Sequence, residues 1–180
     1  GGAVCVARSG LLQISDPHFG SERPQVGAAL LALAQQQQPT LVVLSGDITQ
    51  RATRREFDAA RAFVKRLPPV PLLAIPGNHD VPLFNLVARA FDPYRGFRRV
   101  FGHKLEPRFE SPQWLVQGVD CTRRWRHKDG ELSRRQIDRV AAALRQASAA
   151  QLCVVVVHQP PAVQRAQDEG RDDHHVANQK

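Results

Sequence analysis

Seven side chains of metal-ligand or proton-transfer type stand where apolar runs end in this 180-residue chain. Residues 11–15 end in Asp16-Pro17-His18, and residues 41–44 in Ser45-Gly46-Asp47. Residues 71–75 end in Pro76-Gly77-Asn78-His79-Asp80, and residues 152–157 in His158-Gln159-Pro160. Asp16-x-His18 sets a hard carboxylate and an imidazole two residues apart, where an extended loop lets both reach one ion. Asp47 could bridge two ions with its two oxygens, Asn78 adds a neutral carbonyl oxygen, and His158 adds a nitrogen. An oxygen and nitrogen set without thiolates suits manganese, iron, zinc or cobalt more than magnesium or calcium. Taken singly, each piece has an ordinary explanation as a polar loop, a turn or a hydrogen-bonding group. Together, each at the end of an apolar run, they point to one centre.

The elements that must position them follow from periodicity. The runs at 11–15, 41–44, 71–75 and 152–157 read as buried strands, the last taken as fully buried with Cys153 a small hydrophobe inside it. Residues 114–119 read as a further strand. Val26, Ala29, Leu30 and Leu33 recur at helical spacing, and that helix stops near the glutamines before Pro39. Thr53 with Glu56 forms a capping box that opens a helix with Phe57, Ala60, Phe63, Val64 and Leu67 inward. Ser133 with Gln136 opens another, its inward stripe Ile137, Val140, Ala141 and Leu144. Residues 81–91 read as helical, and 91–109 as an arginine- and aromatic-rich excursion without a clean period. Strand–helix–strand–helix–strand with short links predicts right-handed crossovers and a mostly parallel α/β sheet. Open α/β sheets bind ligands beyond the carboxyl ends of their strands, where the polar residues above would converge.

Composition narrows the class. Hydrophobic residues make up 42% and charged residues 23%, which excludes collagen-like and broadly disordered chains. No apolar run approaches a membrane span, and residues 1–7 lack the basic start of a signal peptide. Three cysteines without CxxC spacing argue against a disulfide framework or a zinc–thiolate site and favour a reducing, cytoplasmic home. The net charge of +8 is concentrated: residues 95–128 hold nine Lys/Arg against three Asp/Glu. That field suits a phosphate-bearing partner, whether small ester or nucleic acid. Residues 1–163 read as one domain and 164–180 as a polar tail with little to pack. The chain contains no Met and begins with Gly1, so a processed or incomplete gene product is expected.

The strand-end motifs resemble those of the calcineurin-like metallophosphoesterase family, through Asp16-Pro17-His18, Gly46-Asp47, Gly77-Asn78-His79-Asp80 and Val157-His158-Gln159-Pro160. The stretches 12–20 and 44–50 are similar to the bacterial branch that includes class III cyclic-nucleotide phosphodiesterases. The resemblance implies an α/β/β/α sandwich, a mixed and largely parallel sheet with flanking helices, its C-terminal part missing. It also implies two metal ions, divalent or trivalent, one held by Asp16, His18 and Asp47, the other by Asp47, Asn78 and His158. Asn78 and His79 would contact the substrate phosphate, His79 would protonate the leaving oxygen, and Asp80 would orient its ring. Two ions about 3.5–4 Å apart would activate a bridging water to hydroxide and clamp phosphoryl oxygens for in-line displacement of a phosphodiester or phosphomonoester, a cyclic nucleotide being the substrate the resemblance suggests.

The family's closing motif, Gly-His-x-His, does not occur. His174-His175 is the only remaining pair, adjacent instead of alternating, in a polar segment. Five direct ligands where the family uses seven predict weaker metal affinity and low or no turnover. Two other readings stay open. Arg123-Arg124-Trp125-Arg126-His127-Lys128 could contact phosphates and stack a base, as a nucleic-acid binder or a nuclease would. A non-catalytic scaffold would keep the fold while its metal centre decayed. Oligomeric state is not readable from these residues.

Overall fold

In a computed structural model, the structure describes residues 10–123 and 130–159. Cys5, the basic run 124–128, Pro160, His174, His175 and the 164–180 tail lie outside them. The order is β1 (Leu11–Ile14), α1 (Pro24–Gln37), β2 (Leu41–Ser45), α2 (Arg54–Val64) and β3 (Leu72–Ile75). There follow α3 (Leu86–Phe91), α4 (Arg95–Phe101), β4 (Arg108–Glu110), β5 (Trp114–Gly118), α5 (Arg134–Gln146) and β6 (Leu152–Val156). A 3₁₀ turn, Asn78–Asp80, follows β3.

Strands β1, β2 and β3 pair in parallel, in that order, joined by helical crossovers as short βαβ links require. A second sheet runs β4-β5-β6, with β4 antiparallel and β6 parallel to β5. The alternation along β2 shows why two layers form. Val42 and Leu44 face Phe57, Ala60, Phe63 and Phe97 of the helices, whereas Leu41 and Val43 face Val116 and Val156 of the second sheet. Every β2 residue is therefore buried. On the outer face of the second sheet, Ala142 and Ala143 of α5 line a shallow cavity with Gln117. The result is the expected α/β/β/α arrangement, one parallel and one mixed sheet with flanking helices.

Both expected capping boxes form, at Thr53–Glu56 and Ser133–Gln136. Several expectations need correction. The buried face of α1 is Leu31 and Ala34, while Val26 and Leu33 are exposed. The stripe Ile137, Val140, Ala141 and Leu144 is not the buried face of α5 either; Gln136 and Ala143 are, with Ile137 and Leu144 exposed. Nor is β6 a fully buried strand. It ends the second sheet among the described residues, with Leu152 59% exposed, Val155 41% exposed and Cys153 in the open. An apolar run reads the same at the centre of a sheet as at its edge, and only the missing neighbour distinguishes them. The helix expected over 81–91 is confined to α3, because Pro82 and the turn at Asn78–Asp80 delay its start. Within the stretch taken as aperiodic, Phe97 and Phe101 stack at 5.0 Å on α4, and Phe97 is buried.

A buried polar knot ties α5 and the loop after β5 to the helix side. Asp120 accepts hydrogen bonds from the Thr122 backbone (2.9 Å) and hydroxyl (2.5 Å), and the Thr122 hydroxyl meets the Tyr94 hydroxyl at 2.6 Å. Burial pushes the Asp120 carboxyl above its ordinary 3.8 in spite of the Thr122 donors. A carboxyl raised in the folded state favours folding when protonated, and that stability is lost as pH rises from 3.8 through the raised value. Asp120→Asn cannot titrate, yet it keeps Oδ1, which takes both Thr122 donors. The variant should gain stability relative to wild type between pH 4 and pH 7, read as urea midpoints. A difference that stays constant across that range would contradict the assignment.

Candidate metal centre

The loops that leave β1, β2, β3 and β6 meet at one end of the molecule, and each bends by an identifiable device. Asp16, His18 and Asp47 all adopt the left-handed backbone region, with φ of 53°, 45° and 47°. Non-glycine residues rarely take that region, and three of them at one spot mark a site held by its surroundings. Those surroundings are backbone hydrogen bonds: Asp16 N–H donates to the Gly46 carbonyl (3.2 Å), His18 N–H to the Asp47 carbonyl (3.1 Å) and Phe19 N–H to the Ile48 carbonyl (2.8 Å). The first two strand ends are thus laced together.

Two glycines let the other loops approach. A Cβ on Gly77 would fall 2.1 Å from the Asp47 backbone nitrogen and 2.2 Å from its Oδ1. Gly46 has φ of +97°, and a Cβ there would meet the His158 ring at 2.5 Å.

Asp47 lies at the centre, buried. Its Oδ1 is 3.2 Å from His158 Nε2 and accepts the His79 backbone N–H at 2.9 Å. Its Oδ2 is 3.9 Å from both His18 Nε2 and His79 Nε2. Asp16 Oδ1 lies 3.9 Å from His18 Nε2, and Asp16, His18 and Asp47 present ligand atoms all within 4.8 Å of one another. His158 Nε2 also lies 3.2 Å from Asn78 Oδ1. The rings of His18 and His79 pack edge-on at 5.0 Å. All five expected ligands and His79 therefore come together.

The donor chemistry fits a cation. His158 Nδ1 faces the Ser45 carbonyl at 3.0 Å, and a carbonyl only accepts, so the ring proton sits there. The neutral ring then turns its Nε2 lone pair toward Asp47 Oδ1, acceptor against acceptor. Such a pair is satisfied only by something positive between them, a proton or a metal ion. Burial alone would lower the His158 ring, but the Asp47 hydrogen bond and charge outweigh it and raise the ring above its ordinary 6.5. Burial alone would likewise raise Asp47, and His158, with help from His79, holds it below 3.8 instead. The Asn78 amide nitrogen is buried with no hydrogen-bond partner among the described residues.

Asp80 behaves differently from the expectation. It does not hold the His79 ring. Its Oδ1 accepts from the Thr49 N–H and hydroxyl, both at 2.8 Å, and its Oδ2 from the Ile48 N–H (3.1 Å) and Gly77 N–H (2.9 Å). Burial nevertheless pushes this carboxyl up to about 6. The 3₁₀ turn aims Asp80 at the backbone of its own loop and of the β2 loop, so it fixes one against the other. The His79 ring is held by the Gln50 carbonyl, 2.8 Å from Nδ1. Sequence reasoning missed Gln50, Thr49 and Ser45 because a backbone carbonyl or a turn-binding hydroxyl leaves no mark in residue type.

A family model described as calcineurin-like phosphoesterase matches residues 10–178 of the chain. A curated relative, a probable cyclic nucleotide phosphodiesterase of Synechococcus sp., is 29% identical over 136 residues, 74% of this chain and 48% of its own length. The chain therefore spans about half the length of the curated relative it matches.

Proposed function

The chain belongs to the calcineurin-like phosphoesterase family, whose model matches residues 10–178, and from that premise we propose that it carries a metal-dependent phosphodiester hydrolase domain. When bound, a pair of manganese, iron, zinc or cobalt ions supplies an activated water and charge to neutralise the phosphoryl oxygens. Asp16, His18 and Asp47 hold one ion, and Asp47, Asn78 and His158 the other. The observation that carries the reading is the position of the Asp47 carboxylate, within 3.9 Å of imidazole nitrogens from three separate loops.

His79 serves as the proton carrier. Its Nδ1–H donates to the Gln50 carbonyl, which fixes Nε2 toward the centre, and as the cation the ring carries its transferable proton on that Nε2. That proton passes to the oxygen of the departing alkoxide. Asn78 and His79 border the phosphate, while Asp80 positions their loop without touching it. Because the relative is named for cyclic nucleotides, these are the first natural substrates to assay, with a low turnover expected from five ligands.

Hydrolysis of bis(4-nitrophenyl) phosphate tests the reading. Turnover should rise on adding manganese and vanish in EDTA. No hydrolysis at any manganese concentration would overturn it.

A further inference from the structure

A small cavity of about 190 Å3 opens beside His79, lined by Gln50, Arg51, Val81, Leu83 and Phe84. Arg51, Leu83 and Phe84 also line a larger groove of about 750 Å3. The two therefore adjoin, and the cavity that His79 lines borders the groove. The groove is also lined by Arg54, Arg95 and Arg99.

The charge on these walls is uneven. The carboxylate lining the groove, Asp92, is engaged by Arg98 at 2.8 Å. Asp58 meets Arg99 at 3.0 Å and Arg54 at 3.9 Å, so one carboxylate is shared between two cations. Arg51 and Arg95 are exposed and make no ion pair among the described residues. Phe84, which lines both cavity and groove, is 77% exposed, a large ring with no core to bury it. Arginines along a track, with an open aromatic face beside them, match a single-stranded nucleic-acid backbone and one stacked base.

A cyclic mononucleotide has one phosphate, which the centre itself would take, and it would leave the arginines facing solvent. We infer that the groove holds the phosphates that flank the scissile one in a linear oligonucleotide, with a base on Phe84. This narrows the substrate class and rests on the hydrolase reading of the adjoining centre.

The test measures binding without metal. A 5′-fluorescein hexathymidylate is titrated with the full chain in EDTA at 50 mM salt, followed by anisotropy. Arg51→Gln/Arg95→Gln should weaken binding about 10-fold and reduce the salt slope by about 1.4, since each single-strand phosphate contact contributes about 0.7. Arg134→Gln/Arg145→Gln removes the same charge from α5 and should bind like wild type. Equal affinity for wild type and the groove variant, equal weakening by both variants, or no salt-sensitive binding would each overturn the inference. Aryl-diester hydrolysis by wild type, measured separately, judges the hydrolase reading: turnover without arginine-dependent binding removes the groove alone, and arginine-dependent binding without turnover removes the hydrolase reading while the groove stands.

Discussion

Asp47→Asn should lower kcat/KM for bis(4-nitrophenyl) phosphate by about 10³-fold or more, with the fold retained. The substitution keeps the shape of the side chain and an Oδ1 that accepts the His79 N–H, now 2.9 Å away. It removes the negative charge that faces His18, His79 and His158 together. Because Asp47 is the shared ligand of the proposed pair, both ions lose their hold at once. A loss of about 4 kcal/mol of transition-state stabilisation corresponds to about 10³ in rate and is in keeping with what metal ions supply. Near-native circular dichroism with lost turnover is the expected pairing. Turnover within 10-fold of wild type would mean that the carboxylate is structural.

Gly77→Ala is the variant with the largest expected effect on the fold of the site. The new methyl would lie inside the radius of the Asp47 amide and carboxylate, both of which are fixed. Neither can yield, since the Asp47 backbone holds His18 and its side chain holds His79 and His158. Displacement should cost about 3 kcal/mol or more, lowering the melting temperature by roughly 10 °C in a domain of this size. Activity should fall with it, because the loop that moves carries Asn78 and His79. A melting temperature within 2 °C of wild type, roughly the shift of a sub-kcal/mol change, would show that this contact relaxes freely.

How much of this was legible depended on what each residue does. The ligand set could be read because a carboxylate or imidazole that abruptly ends an apolar strand is chemically conspicuous, and parallel strands deliver their carboxyl ends to one side. Thr53 and Ser133 announced their helices through side chains that bind backbone within one turn. What failed was information that lies in neighbours. Leu152 and Val155 look like core residues, and their exposure follows only from the place of β6 in its sheet. Asp80 sits next to His79 in sequence, yet the 3₁₀ turn sends its carboxylate to the backbone of Ile48, Thr49 and Gly77. The arginine groove joins the loop after β2 to α4, two segments with no common motif, and only folding aligns Arg51 with Arg95.

The most direct test of the central claim is metal stoichiometry. The chain is stripped with EDTA, titrated with manganese and freed of unbound metal, and the retained ion is counted by elemental analysis alongside Asp47→Asn. The account predicts about two ions per wild-type chain and a loss of both in the variant. No retained manganese in wild type, or equal retention in the two proteins, would contradict it.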